Sequence, residues 1–155
     1  MDYSFQNGKA QTIQNPATEQ FINKLASDLR RDEGVRAKPY KDSVGILTIG
    51  VGRNLDQVGL SDSEIEFLLA NDIKRVMAEL DRELPWWRNL SNSRQTALAN
   101  LGFNMGIKTL LQFKQTLSFL RNAQYDQAAT ELLASKYAAQ VGPRAKRIAE
   151  QIRNG

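Results

Sequence analysis

The 155-residue chain contains no cysteine and no histidine. Without cysteine it can form no disulfide, so its fold must depend on a packed core. Without histidine, Ser-His-Asp and Cys-His catalysis are excluded, and so are the usual zinc sites. If the chain is an enzyme, its carboxylates are the natural acids and bases.

The chain also has no apolar run close to the length of roughly 18 residues that a membrane span needs. Its beginning lacks the basic and then hydrophobic segments of an ordinary signal peptide. We therefore expect the protein to be made and first held in a cytosol, and to need a separate route to any target beyond the membrane. The 41% of hydrophobic residues is enough for the core of one compact domain.

The net charge of +4 is unevenly distributed along the chain. Residues 1–84 carry 11 basic and 14 acidic side chains, a net −3, whereas residues 85–155 carry 10 basic and 3 acidic ones, a net +7. This asymmetry favours an anionic partner for the second half, such as a polymer, a membrane surface or nucleic acid. The alternative is a solvated surface with no such role.

A regular apolar spacing near the start of the chain predicts a helix that ends on an acid. Asn15-Pro16 is a typical helix start, because asparagine caps helices and proline suits the first helical position. Gly34 is typical of a left-handed cap at the other end. Apolar residues recur every four positions between them, and the next position in the series is acidic: Phe21, Leu25, Leu29 and then Glu33.

Glu33 is therefore predicted to lie on the buried face, where burial disfavours the charged form of a carboxyl group. A carboxyl group that stays protonated can serve as a general acid. The alternative is structural, with Glu33 paired to a core arginine such as Arg144. Because burying an acid without a task is costly, we expect a functional carboxyl group.

A small sheet of two or three strands is predicted after this helix. Residues 42–45 have the composition of a hairpin turn, and residues 46–52 alternate as a strand does. The alternation puts Thr48 on the same face as Gly50 and Gly52. Glycines thin that face, so a ligand or another backbone segment can approach Thr48 closely.

The rest of the chain is predicted to be helical. A long helix is expected at about residues 61–84, where Ser61 opens a sequence with capping-box spacing. The adjacent Trp86 and Trp87 could stack on sugars, but packing is the favoured interpretation. Residues 93–153 predict four helices in an irregular bundle.

The expected organisation is therefore a polar extension at residues 1–15 and one catalytic domain at residues 16–155. Within that domain we expect a small lobe at about 34–60, a linking helix at about 61–84 and a helical lobe at about 86–153.

Three motifs stand far apart along the chain and carry a resemblance to a known family. In chain order they are Glu33-Gly34-Val35-Arg36 with Tyr40-Lys41-Asp42, Gly45 and Thr48-Ile49-Gly50-Val51-Gly52; Asn100-Leu101-Gly102-Phe103-Asn104-Met105-Gly106; and Arg144-Ala145-Lys146-Arg147-Ile148. They resemble the motifs of the tailed-phage lysozymes (endolysins), the family that includes the lysozyme of T-even phages. The resemblance covers about residues 20–153.

The resemblance implies an α+β, mostly α, lysozyme-like fold in which a long helix joins a small β-containing lobe to a helical lobe. It also implies a muramidase, which hydrolyses the β-1,4 bond between N-acetylmuramic acid and N-acetylglucosamine in peptidoglycan. Glu33 would be the general acid, and Asp42 and Thr48 would hold and activate the attacking water. That arrangement inverts the anomeric carbon.

Further expectations follow from the resemblance and from the charge distribution. Phe103 and Asn104 would bind the substrate, and Arg144 would lie near the general acid. No cofactor or metal is implied. The expected partner is peptidoglycan, with anionic lipopolysaccharide as a second partner of the basic C-terminal helix, and no nucleic acid. A monomeric endolysin would wait in the host bacterial cytoplasm until a holin-type pore releases it to the periplasmic cell wall.

Two other enzyme or virion roles and one non-enzymatic role remain as alternatives. A lytic transglycosylase needs only the acid, so Asp42 and Thr48 at hydrolase spacing argue against it. A virion-associated wall-binding or wall-degrading protein could carry the same fold. A basic binding protein would interleave exposed aromatic and basic residues, whereas the aromatics here fall mostly at core spacing.

Overall fold

A computed structural model of the protein describes residues 16–155 in full and, before them, the backbone of two short strands. The chain divides into two compact units, Met1–Asp62 and Ser63–Gly155. Within the described residues, no helix is both long enough and apolar enough to cross a lipid bilayer.

The N-terminal extension contains a hairpin that its polar composition did not predict. Strands β1 (Ser4–Gln6) and β2 (Lys9–Gln11) pair antiparallel, with Phe5 opposite Ala10. The other residues of the predicted extension, and the predicted cap Asn15, lie outside the described residues.

Helix α1 (Pro16–Glu33) begins and ends where the sequence predicts. Gly34 has a φ of +77°, and its N–H donates to the Arg30 carbonyl at 3.0 Å, so the glycine cap is confirmed. No residue of α1 is buried. Phe21, Leu25 and Leu29 are 65%, 44% and 42% exposed, so the predicted buried face is wrong. Among the described residues, α1 is the only helix wholly inside the first unit, and a small sheet cannot cover five helical turns.

The predicted small sheet has three antiparallel strands in the order β3-β4-β5. They are β3 (Arg36–Lys41), β4 (Leu47–Gly50) and β5 (Arg53–Asn54). Strand β4 is shorter than predicted, because Gly50 and Gly52 both have positive φ and turn the chain into β5. The 42–45 turn is confirmed by the Asp42 N–H, which donates to the Ile46 carbonyl at 2.9 Å.

Helix α2 (Asp62–Glu83) confirms the predicted long helix, and a 3₁₀ helix (Pro85–Asn89) follows it. Trp87 is 3% exposed, and its Nε1–H donates to Asp81 at 2.7 Å. The packing interpretation of Trp87 is therefore confirmed.

Six helices complete the second unit, all of which the structure describes, whereas the sequence predicted four. The two additional helices arise because the helices predicted at 109–120 and 125–137 are each interrupted, the first at residues 111–113 and the second at residues 134–135. At the second interruption Ser135 caps a new short helix by accepting from the Ala138 N–H. The helices are α3 (Asn92–Met105), α4 (Ile107–Leu110), α5 (Lys114–Arg121), α6 (Tyr125–Leu133), α7 (Lys136–Val141) and α8 (Pro143–Asn154).

The buried core lies in the second unit and is built from leucine, isoleucine and alanine. Leu80, Leu98 and Leu132 are each fully buried. Helix α8 packs on α6 and α3 and buries one apolar face in this core, through Ala145, Ile148, Ala149 and Ile152. The structure is thus the predicted mostly helical α+β fold with a small antiparallel sheet.

Candidate active site

Thr48 lies in the middle strand of the sheet and is 5% exposed. Its hydroxyl donates to the Ile46 carbonyl at 3.0 Å. A hydroxyl oxygen that has used its single proton in this way can still accept hydrogen bonds. Thr48 therefore offers an acceptor on the glycine-thinned face of β4.

Asp42 directly follows strand β3, in the turn of the β3–β4 hairpin, and like Thr48 it is hydrogen-bonded to Ile46. Its Oδ1 accepts from the backbone N–H groups of Val44 at 2.9 Å and Ile46 at 2.8 Å. The Ile46 carbonyl in turn accepts from the Asp42 N–H and from the Thr48 hydroxyl. One peptide segment therefore fixes the positions of both polar side chains.

Glu33 is the last residue of α1, and its carboxyl group lies against the turn between β4 and β5. A β-carbon added at Gly52 would lie 3.0 Å from the Glu33 Oε2 and 3.1 Å from its Cδ. The Glu33 side chain is exposed, which corrects the prediction that it lies on a buried face.

Arg144, at the start of α8, is held by Asn100 of helix α3. The Asn100 Oδ1 accepts from Arg144 Nη2 at 2.7 Å and from Nε at 3.1 Å. This fork fixes the plane of the guanidinium group.

Asn104 is held by Tyr137 in a second polar contact of the same unit. The Tyr137 hydroxyl donates to Asn104 Oδ1 at 2.8 Å, and its ring packs edge-on against Phe113. Burial raises the pKa of the Tyr137 phenol above its ordinary value, and the charge of Arg144 opposes that rise. The phenol therefore stays protonated at neutral pH and remains a donor.

Phe103 and Arg144 share a cavity of about 440 Å³ on the surface of the second unit. Phe103 itself is 45% exposed, as a ring that contacts a ligand would be. Asn100 adds an amide to the wall, and the remaining lining is largely apolar: Leu69, Ile73, Val76 and Ala99. The cavity thus combines an aromatic face, an amide and a cation.

The sequence analysis did not predict the roles of three residues that contact the predicted site residues. They are Asn100, Gly52 and Tyr137. Asn100 and Asn104 are four positions apart on α3, and that spacing signals a shared helix face. Asn100 lies inside the second motif, so its position was visible although its role was not. The contact of Gly52 with Glu33 joins a helix end to a later turn, and the Tyr137 contact joins two helices; neither has a local signal.

Comparison with known proteins identifies one family that matches this chain. Residues 30–150 match the family described as phage lysozyme, and this is most of the chain. The chain belongs to the phage lysozyme family. It is therefore a lysozyme-like cell wall hydrolase, a glycosidase whose substrate class is peptidoglycan.

Individual relatives of this family member come from phages and from an amoeba. It is 26% identical to "Probable T4-type lysozyme 1" of Dictyostelium discoideum, over 87% of this chain and 96% of that protein. It is 27% identical to "Pre-baseplate central spike protein Gp5" of Enterobacteria phage T4, over 84% of this chain and 28% of that protein. It is 31% identical to a "SAR-endolysin" of Escherichia phage Mu, over 69% of this chain and 63% of that protein.

Proposed function

We propose that this lysozyme is a muramidase and a phage endolysin. It hydrolyses the β-1,4 bond between N-acetylmuramic acid and N-acetylglucosamine in peptidoglycan, with inversion, and so lyses the host cell. One observation carries the proposal: Asp42 and Thr48 are hydrogen-bonded to the same residue, Ile46, while the Glu33 carboxyl lies against Gly52 in the same small unit.

Glu33 acts as the general acid in this proposal. It protonates the glycosidic oxygen as the bond to the anomeric carbon breaks, so the leaving sugar departs as an alcohol. An inverting glycosidase needs a second carboxylate on the opposite face of the sugar, with room for a water molecule. Asp42 fills that role because one of its oxygens orders the turn while the other can accept from water.

Thr48 and Asp42 orient the attacking water together. The Thr48 hydroxyl donates a hydrogen bond to the Ile46 carbonyl, so its oxygen is free to accept a hydrogen bond from the water. The second hydrogen goes to the Asp42 carboxylate, which takes the proton as the water attacks. The lone pair of the water is then left to form the new bond.

The primary test compares the parent with Glu33→Gln on outer-membrane-permeabilised Gram-negative cells. We expect clearing by the parent, and at least about 100-fold less by the variant, because the amide cannot supply the proton. Mass analysis of the released muropeptides should find reducing N-acetylmuramic ends. A fully active Glu33→Gln would contradict the proposal, and anhydro ends would reveal a lytic transglycosylase instead.

A matched pair at Asp42 separates catalysis from turn formation. Asp42→Asn keeps an Oδ1 that can accept from Val44 and Ile46, so its stability should equal that of the parent while its activity is lost. Asp42→Ala removes these bonds as well and should lose both. If Asp42→Asn were active, Asp42 would be a residue of the turn and not the base.

Phe103, Asn104 and Arg144 bind the glycan in this proposal. Arg144 suits the peptide carboxylates of peptidoglycan, and Phe103 offers a ring face to a sugar. Replacing Arg144 with Gln should raise KM on soluble glycan strands and make binding less dependent on salt. Asn100→Ala should have the same but weaker effect, since Asn100 holds the guanidinium group.

The endolysin role implies storage in the host cytoplasm, release through a holin-type pore and action as a monomer. Cells that express the parent should stay intact until chloroform opens the inner membrane, and should then lyse. Lysis without chloroform would indicate that the protein leaves the cytoplasm by its own route. Light scattering on the purified chain should give the monomer mass of 17.4 kDa.

In this proposal, helix α8 binds anionic lipopolysaccharide through a small number of exposed basic side chains. The apolar face of α8 is buried in the core, so only its exposed cations, chiefly Lys146 and Arg147, are available in the intact chain. Arg153 faces Asp126 at 3.4 Å. Lys146→Glu/Arg147→Glu should weaken binding to vesicles that contain lipopolysaccharide, whereas Lys74→Glu on α2 should not. Equal binding by all three would end this part of the proposal.

A virion-associated wall-degrading role is the second candidate. It is favoured by the similarity of most of this chain to the Gp5 protein of phage T4, which is named as a central spike protein. Mass spectrometry of purified virions would separate the two roles. Copies of the chain in virions would favour the second candidate, whereas its confinement to the lysate would favour the endolysin.

A further inference from the structure

Among the described glycines of the first unit, Gly52 is the one at which an added β-carbon would come closest to a side chain, that of Glu33. A β-carbon at position 52 would lie 3.0, 3.1 and 3.2 Å from the Oε2, Cδ and Cγ atoms of Glu33. These distances are tighter than nine in ten contacts of real β-carbons, so the Glu33 side chain would have to move slightly. The end of the Glu33 side chain thus occupies space that any other residue at position 52 would fill.

Gly59 provides an internal reference for this contact, and it lies outside the proposed site. Its φ of +61° nearly equals the +65° of Gly52, so an L-residue would be strained to a similar extent at both positions. A β-carbon at Gly59, however, would meet only the Leu55 carbonyl oxygen, at an ordinary contact distance of 3.9 Å. The two glycines share the backbone requirement, and only Gly52 has the steric one.

We propose that Gly52 is a positioning residue for the general acid. It fixes the place of the Glu33 carboxyl group by leaving room for it beside the β4–β5 turn. This inference rests on the proposed role of Glu33. Because Gly52 has no side chain, it acts only through Glu33.

The Glu33 side chain needs such a support because it has little other packing. It is exposed, and it is the last residue of α1, so the helix supplies no following turn to pack on it. A general acid must lie within hydrogen-bond distance of the leaving oxygen, and a displacement of about 1 Å can cost about 100-fold in rate. A methyl group at position 52 would force the Glu33 carboxyl group to shift by a few tenths of an ångström or to adopt another rotamer.

The test compares Gly52→Ala with Gly59→Ala. We expect both variants to lose Tm because both positions require positive φ, and Gly52→Ala to lose at least as much as Gly59→Ala because of the additional contact with Glu33. Gly59→Ala should keep the kcat of the parent within about twofold on soluble glycan strands, whereas Gly52→Ala should lose at least about tenfold in kcat with KM unchanged. Equal kcat values for the two variants, or a change confined to KM, would overturn the proposal.

Asparagine repeats the comparison if an alanine variant does not fold. It tolerates positive φ better than alanine does, yet it still carries a β-carbon. Gly52→Asn should again lose kcat relative to Gly59→Asn. A crystal structure of Gly52→Asn should find the Glu33 carboxyl displaced, and an unmoved carboxyl would overturn the proposal.

The same assay includes the parent and Glu33→Gln, which separates the two levels of inference. An active Glu33→Gln would remove the proposed role of Glu33 and, with it, this inference. An inactive Glu33→Gln together with equal kcat values for the two glycine variants would remove the role of Gly52 alone.

Discussion

The two units of this lysozyme bury different kinds of side chain. Among the described residues of the first unit, Thr48 is the one that is buried, and it is polar. The second unit buries a continuous core of leucine, isoleucine and alanine. Candidate catalytic side chains are therefore ordered by hydrogen bonds in the first unit, whereas the candidate substrate-binding side chains of the second lie on a packed scaffold.

Helices α1 and α8 show the same difference in detail. Both are amphipathic in sequence, yet α1 buries no residue while α8 buries four in its 12 residues. Apolar periodicity thus predicts a helix in both cases, but it does not determine what will cover the apolar face. That depends on neighbours, and α8 has α3 and α6 beside it.

The largest expected effect is a loss in the free energy of unfolding, and it is tested by truncating one leucine in each unit. Leu132 is fully buried, so Leu132→Ala should lower the free energy of unfolding by about 2–5 kcal/mol, since it leaves a cavity. Leu25→Ala, at a position 44% exposed, should lower it by less than about 1 kcal/mol. Urea denaturation measures both, and equal losses would contradict the comparison.

Replacing Arg94 should give the next largest loss in the free energy of unfolding, because its side chain contacts both α6 and the end of α8. Its guanidinium carbon lies 3.4 Å from the Tyr125 ring centroid, and its Nε donates to the Ile152 carbonyl at 2.7 Å. Arg94→Ala should lower the free energy of unfolding by about 1–2 kcal/mol, through the lost cation–π contact and helix-end bond. Arg94→Lys should recover only part of that in urea denaturation, and full recovery would mean that charge alone matters.

Thr48→Val tests whether Thr48, the one buried side chain among the described residues of the first unit, is there for activity. The Ile46 carbonyl keeps its bond from the Asp42 N–H, so the change in the free energy of unfolding should stay within about 1 kcal/mol. Activity should fall at least about tenfold, because the acceptor for water is lost. Thr48→Ser is the control, and it should keep both stability and activity. An active Thr48→Val would break the comparison.

Ala123 should give a small gain in stability in the second unit. It has a φ of +59° in the turn between α5 and α6, where a side chain is strained. Ala123→Gly should raise the free energy of unfolding by about 0.5–1 kcal/mol. Ala134→Gly, at a helix end with a φ of −80°, should lower it instead. Urea denaturation measures both changes in the free energy of unfolding, and changes of the same sign in the two variants would contradict the strain argument.

The smallest expected effect is a pH dependence at the end of α2. Hydrogen bonds from Arg88 and Trp87 lower the pKa of Asp81 from its ordinary 3.8 to about 2. Because the folded-state pKa is lowered, the stabilisation is present above about pH 4 and is lost as the pH falls towards 2. The Tm of Asp81→Asn should vary less than that of the parent across this interval. Parallel curves would mean that solvent screens the contact entirely.

The sequence predicted much of the first unit because its signals there are local. Proline at the start of α1, Gly34 at its end and Asp42 in the hairpin each act within a few residues, and all three appear at the predicted positions. The predictions failed where distant contacts decide. The face of α1 that was predicted to be buried is exposed, and two predicted helices of the second unit are each broken into two.

The sequence by itself determined the helix ends, the hairpin and the spacing of Glu33, Asp42 and Thr48, since capping, turn geometry and strand alternation depend on near neighbours. Only the tertiary structure decided that the Glu33 carboxyl lies against Gly52, that Asn100 holds Arg144 and that Tyr137 holds Asn104. Each of these contacts joins residues that are far apart in the chain. They meet only after helices and strands have packed, so no local pattern encodes them.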